Sequence, residues 1–298
     1  MKRRLFMTCE VALKTRSYLG EGCWWDDRRQ SLFWVDIMRK EVHCLKDGED
    51  TLVKTFDDYV GFCAPCTDDR IMVGCGRKLL LYDIEKDEIE ELLEVDQDIP
   101  ENRFNDAKAT PDGRILAGTM NNALNEDDDP DANTGRFYVL EKGKEPKQLM
   151  DRLSCSNGIA FVEDGRSFYH TDTYTQTVYK YDYDVKTGDI SNPRKAVYVD
   201  PATGNPDGMN IAADGTIFVA HWDGGCLKQF DPNTGEELMK IELPVNHVTC
   251  CCFGGKDLDE LYITTSSIGD KDCEYPLAGS IFVVKCGVKG RKVDRFKV

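Results

Sequence analysis

Short runs of alternating apolar and polar residues, each opened by an Asp-bearing turn, recur six times along the 298-residue chain. They read DRRQSLFWVDI from Asp27, DDRIMVGCG from Asp68, PDGRILAGT from Pro111, EDGRSFYHTD from Glu163, ADGTIFVAHW from Ala213 and LDELYITTS from Leu258. Alternation over four to eight residues between turn formers is the pattern of a half-buried strand. With the turn aspartates Asp27, Asp69, Asp112, Asp164, Asp214 and Asp259 as anchors, successive copies lie 42, 43, 52, 50 and 45 residues apart, and 39 residues follow the last. That period, in copies built of short strands, predicts the blades of a propeller. Second turns at Lys46-Asp47-Gly48, Lys186-Thr187-Gly188 and Asn233-Thr234-Gly235 supply residues that tolerate positive φ. No run has a sustained helical period, and residues 87–94 read equally well as a strand flanked by acids.

The expected fold is therefore all-β: a six-bladed β-propeller filling residues 1–298 as one domain, with no Pro-, Gly- or Ser-rich linker. A ring of blades must be joined end to end or leave two open sheet edges. Residues 9–14 precede the first anchor and are expected to close the last blade.

Composition narrows the partners. Fifty-four acids against 38 bases give a net charge of −16, which opposes approach to nucleic acid or an anionic membrane surface. Residues 126–131 hold five acids in six positions but lack the alternating ligands and the glycine of an EF-hand, and read as a solvated loop. No apolar run approaches the ~20 residues of a membrane span, and Glu10 and Lys14 interrupt any signal-peptide-like start. Thirteen cysteines, an odd number and several within strand patterns, predict reduced, buried thiols and a cytoplasmic protein. Cys63-Ala64-Pro65-Cys66 has redox or zinc spacing without a matching second pair, and the Cys250-Cys251-Cys252 run sends neighbouring thiols to opposite faces. Surface charge decides no stoichiometry; a monomer or weak homo-oligomer is expected.

Four polar signatures occupy the same phase of the repeat: Gly20-Glu21-Gly22, Arg103-Phe104-Asn105-Asp106, Ser156-Asn157-Gly158 and Pro206-Asp207-Gly208. Glu21 lies six residues before its anchor, and Asn105, Asn157 and Asp207 lie seven before theirs. Equivalent positions of a closed repeat point at one axis, so these side chains are expected to meet in a central metal-binding channel. Two carboxylates and two amides make an oxygen-only set suited to a hard divalent cation. The remaining copies place Phe62 and Cys252 at this phase, which would leave part of the coordination sphere open. Each signature taken alone is also a common turn, Pro206-Asp207-Gly208 above all. Gly-Glu-Gly has no such preference.

The motifs GEGCWWD, NRFNDAKATPDGRILAGTM, SNGIAFVEDGRSFYHTDT, PDGMNIAADGTIFVAHWDGG and CFGGKDLDELYITTS, in this order, resemble the regucalcin, senescence marker protein and gluconolactonase family. FYHTDT, NDA and YPLAGSIFVV look most like its bacterial sugar-acid lactonases of the xylonolactonase and arabinonolactonase kind. The resemblance implies a six-bladed propeller and one divalent metal ion, Ca2+, Zn2+, Mn2+, Mg2+ or Fe2+, held by Glu21, Asn157 and Asp207. It implies that Arg103 and Asn105 bind the substrate, a small sugar lactone, and that the metal polarises the ring ester carbonyl. Asp207 is the candidate catalytic group, taking a proton from the attacking water.

Three positions depart from the family pattern: Cys23 stands for the usual Pro, Ala107 for Gly, and Ala123 for a substrate-contacting acid, a contact for which Asn121 or Asn122 is expected to substitute. His170 and His221 end strand runs near these residues, yet no Ser or Cys nucleophile pairs with either. Two other functions fit the same resemblance: an organophosphate hydrolase, and a calcium-binding regulator without catalysis.

Overall fold

The computed structural model describes residues 9–122 and 133–298. Ala123 and the acidic run 126–131 lie outside the described residues. Among those described, 24 strands form six four-stranded antiparallel sheets, with two 3-10 turns and no α-helix. Residues 88–94, ambiguous in sequence, form a strand. The first strands of neighbouring blades pack against one another around the ring. These are β2 (Gly20–Asp26), β6 (Val60–Pro65), β10 (Asn102–Ala109), β14 (Ser156–Phe161), β18 (Asn205–Ile211) and β22 (His247–Gly254).

Blade six is assembled from both ends of the chain. Its order is β22, β23 (Glu260–Ser266), β24 (Ile281–Val284) and β1 (Glu10–Leu13), with Glu10 opposite Val283 and Val11 opposite Phe282. The N-terminal strand thus covers the outer face of the C-terminal one, and the ring is held shut by ladder hydrogen bonds. Thr249 Oγ1 ties blade six to blade one by donating to Gly20 O at 2.6 Å.

Hydrophobic side chains pack mostly between blades. One cluster joins Trp24, Phe33 and Val35 of blade one to Val60, Cys63 and Val73 of blade two. Here the structure corrects the expectation for Phe62 and Cys252. Phe62 is buried between blades with its ring 5.5 Å from Phe104, and Cys252 packs beside Trp25 and Trp34. Neither lines the channel: every innermost strand carries a one-residue register shift, and whereas Glu21, Asn105, Asn157 and Asp207 lie at or within it, Phe62 and Cys252 come after it, where the facing side chain has changed. The shifts fall at Glu21/Trp24, Val60/Phe62, Phe104/Ala107, Asn157/Ile159, Pro206/Met209 and Val248/Cys250. Gly61 and Thr249 occupy the irregular positions in blades two and six.

Asp36, which is buried, and Asp172, which is half-buried, set how the chain enters two of the innermost strands. Asp36 accepts from the backbone N–H groups of Tyr18 at 2.7 Å and Leu19 at 3.1 Å, just ahead of Glu21. Asp172 accepts from those of Ser154 at 3.2 Å and Cys155 at 2.9 Å, just ahead of Asn157. Charge-assisted bonds of this kind are stronger than neutral ones, and they place both following side chains.

The C-terminal segment crosses the face that carries the first turn of each blade and touches all six. Lys289 O accepts from Ala213 N at 2.8 Å, Gly290 N donates to Leu258 O at 2.8 Å, and Arg291 donates to Phe161 O. Arg295 pairs with Asp26 at 2.9 Å and Asp27 at 2.6 Å, Phe296 N donates to Pro65 O at 2.9 Å, and Lys297 N donates to Gly113 O at 2.8 Å. Between this strap and the axis remains a void of about 20 Å³ lined by Asp106, Lys108, Cys250 and Asp294 among others. That is about the space of one water molecule, so this end of the channel is closed.

His170 and His221 belong to the packing. His170 is buried against Phe137, at 4.5 Å between ring centroids, and its Nε2 is 2.9 Å from Ser156 Oγ. Burial pushes its pKa down to about 3. His221 Nδ1 donates to Thr203 O at 3.0 Å, and burial together with Lys228 lowers its pKa to about 4. All thirteen cysteines are free thiols, and burial pushes Cys63 and Cys66 up to about 12.

Two outcomes follow. Phe296→Ala, which empties a fully buried site under the strap, is expected to cost about 3–5 kcal/mol and lower the melting temperature by roughly 6–15 °C, measured by calorimetry. Both histidines are neutral in the fold and have depressed pKa values, so their contribution is complete above the unfolded pKa of ~6.5 and is lost as pH falls toward the folded values. Urea unfolding between pH 7 and pH 4.5 is expected to give a shallower acid slope for His170→Gln than for the parent, by up to ~1.4 kcal/mol per pH unit; equal slopes would contradict the assignment.

Candidate active site

A cavity of about 490 Å³ opens at the end of the channel away from the strap and gathers residues from five blades. Glu21, Arg103, Asn105, Asn157 and Asp207 all line it, as do Met120, Cys155, Trp222 and His247. Asn122 stands just behind Arg103, whose Nε donates to Asn122 Oδ1 at 3.3 Å. A larger groove of about 1030 Å³ reaches Arg103 and Asn122 from the blade-two side. Its charged residues include pairs already satisfied, Arg77 with Glu94 at 2.7 Å and Lys78 with Glu91 at 2.8 Å. In the inner cavity Glu21, Arg103 and Asp207 converge without such an ion pair.

Local backbone form explains the convergence. At Gly158, φ is +31°, and a Cβ there would lie 2.6 Å from Asp207 O. Any side chain would therefore push β14 and β18 apart and separate Asn157 from Asp207. Gly208 is equally confined, since its Cβ would lie 2.6 Å from Cys250 Sγ and 2.7 Å from Thr249 O.

A chain of hydrogen bonds fixes the neutral side of the site. Arg103 Nη1 donates to Asn105 Oδ1 at 2.8 Å and to Phe104 O at 2.9 Å. Asn105 Nδ2 donates to Ser156 O at 2.9 Å and Asn157 Oδ1 at 3.3 Å, and Asn157 Nδ2 donates to Thr173 Oγ1 at 3.0 Å. Arg103 is 2 % exposed, so its guanidinium is held in one orientation by neighbours it cannot leave cheaply.

The acidic side is under electrostatic tension. Burial, followed by the charge of Asp106, raises Glu21 to about 8, against the opposing Gly22 N–H and Arg103. Asp207 is pushed well above the carboxylate range by burial and by facing Glu21 and Asp106. Among the described residues Glu21 and Asp207 form no ion pair, and no group of three or more Asp, Glu, His or Cys is arranged to hold a metal. The set is instead two carboxylates beside amide oxygens, and its uncompensated negative charge fits a bound divalent cation.

Asp106 escaped the sequence reading. Strict strand alternation places Asp106 on the face opposite Asn105, but the irregularity in β10 lets both act on the channel. Its carboxyl is raised by burial and eased by Lys108, which lies beneath it. The signal was the RFND motif itself, whose last residue falls within the irregularity. Cys155 and Thr173, which brace the two amides, have no signal in the sequence.

Comparison with known proteins agrees with this architecture. Residues 19–267 match the family described as SMP-30/gluconolactonase/LRE-like region. YvrE of Bacillus subtilis (strain 168), provisionally named a sugar lactone lactonase, is 35 % identical over 93 % of this chain and 94 % of its own length. Regucalcin of Danio rerio is 34 % identical over 94 % and 95 % of the two chains. The crystal structure of a calcium-binding regucalcin from Agrobacterium tumefaciens superposes with a TM-score of 0.90 at 26 % identity, covering 98 % of each chain. Matched over most of its length in sequence and nearly all of it in fold, the chain belongs to the SMP-30/gluconolactonase/LRE-like family.

Proposed function

We propose that this protein hydrolyses a sugar lactone of the xylono-, arabinono- or gluconolactone type to its open-chain acid, with the help of one divalent cation. The observation that carries the reading is the convergence of half-buried Glu21 and buried Asp207 in one cavity, without an ion pair, beside an Arg-Asn-Asn chain suited to carbonyl and hydroxyl oxygens. Membership in a family whose relatives carry lactonase names supports the reaction class. Glu21, Asn157 and Asp207 are the residues that would hold the cation. When bound, it supplies Lewis acidity toward an ester carbonyl oxygen.

The protein's own groups do the rest. Arg103, its guanidinium fixed by Asn105, Phe104 and Asn122, donates to substrate oxygens and orients the ring. Asn105 is locked by Ser156 and Asn157 and offers its amide at the same edge. Asp207 takes a proton from a water as that water's oxygen bonds to the ester carbon. The ring C–O bond then breaks, and the proton passes to the departing hydroxyl oxygen, so the lactone and one water become one hydroxy acid.

Turnover of a lactone panel, followed by acid release, is expected to fall by about 100-fold or more in Glu21→Gln and in Asp207→Ala. Arg103→Ala is expected to act chiefly on KM. EDTA treatment should abolish turnover, and Ca2+ or Zn2+ should raise the melting temperature of the parent but not of Asp207→Ala. Strong cation binding in a protein that opens no lactone would favour a non-catalytic calcium-binding role.

A further inference from the structure

The cavity has a polar part and an apolar one. Glu21, Arg103, Asn105, Asn157 and Asp207 make a polar floor, while Leu19, Ile37, Trp222 and Ile268 make an apolar wall. Trp222 is the largest of these and is fixed in place. Its ring stacks on His247 at 4.1 Å between centroids with planes 17° apart. His247 in turn has its Nδ1 3.1 Å from Asp223 Oδ1, and Asp223 is itself bonded by Asn246 Nδ2 at 3.0 Å. Asp223 sits in the left-handed region at φ 61°, which turns the chain sharply after Trp222. The chain's other tryptophans, Trp24, Trp25 and Trp34, are buried in β2 and in the adjoining strand of blade one, and do not line the cavity.

A sugar ring has the same division: hydroxyls around its edge and a face of C–H bonds. Hydroxyls turned to the wall would lose water without gaining a partner. A ring turned the other way meets donors and acceptors on the floor and lays its C–H face on an aromatic surface, an arrangement that aromatic side chains favour.

We propose that Trp222, backed by His247, is the platform that takes the C–H face of the sugar ring and sets the preference for cyclic sugar lactones. This rests on the lactonase reading for the reaction but not for binding. Trp222 contacts the substrate; His247 is a positioning residue acting through it.

The test pairs a binding signal with kinetics, in the presence of Ca2+ and separately of Zn2+. Titrating the parent with 1,5-anhydroglucitol, a sugar ring without an ester to hydrolyse, is expected to change its tryptophan fluorescence, and the change should vanish in Trp222→Phe. For γ-xylonolactone, Trp222→Ala should raise KM about tenfold with little change in kcat, whereas Trp222→Phe should stay within about threefold of the parent. His247→Ala should raise KM and His247→Phe restore it, which a general loss of stability would not do. Should Trp222→Ala fold poorly, the two phenylalanine variants and His247→Ala carry the comparison. Lactone turnover with KM indifferent to Trp222 and no fluorescence response overturns the platform. A Trp222-dependent response to 1,5-anhydroglucitol without turnover of any lactone supports the platform and removes the reaction. Neither response nor turnover overturns both.

Discussion

Two carboxylates gathered in one cavity without an ion pair are the constraint around which this molecule is arranged. Like charges out of water raise each other's proton affinity, and here a third acid, Asp106, adds to the effect on both Glu21 and Asp207. Such an arrangement persists only where the surrounding structure enforces it. Ladder hydrogen bonds, confined glycines and the strap all resist the relaxation that would let Glu21 and Asp207 separate. The fold holds in place a charge distribution that a flexible chain would disperse.

Sixfold repetition supplies the enforcement, and its local imperfection supplies the chemistry. A regular strand shows alternate residues to the axis and would give every blade the same few inward positions. One register shift per innermost strand lets two successive polar groups act on the channel, as at Asn105 and Asp106. Blades two and six use the same irregularity for Gly61 and Thr249, which bring backbone and a hydroxyl rather than ligands. The cavity is therefore one-sided: charged and amide groups come from blades one, three, four and five, and much of the rest is apolar.

Much of the architecture was legible because it depends on period and turn chemistry. Anchors at 42 to 52 residues fixed the number of blades, and the common phase of Glu21, Asn105, Asn157 and Asp207 indicated a shared channel that the structure brings together. What stayed hidden depended on register. Phe62 and Cys252 were misplaced, and Asp106 overlooked, because a shift of one residue exchanges the faces of a strand and leaves no mark in composition. The bracing of Asn157 by Thr173, and of Trp222 by His247, joins residues from separate loops and strands. No spacing rule reaches such pairs.

The strap has a bearing on biosynthesis. Blade six needs residues 281–284 to meet residues 10–13, and the closed end of the channel needs residues 289–297. A chain made only as far as blade five is an open arc with an uncovered sheet face at either end, and the chamber that gathers its acids is completed only when blade six and the strap have joined it. During that interval the arc is most in need of protection from pairing with a second copy.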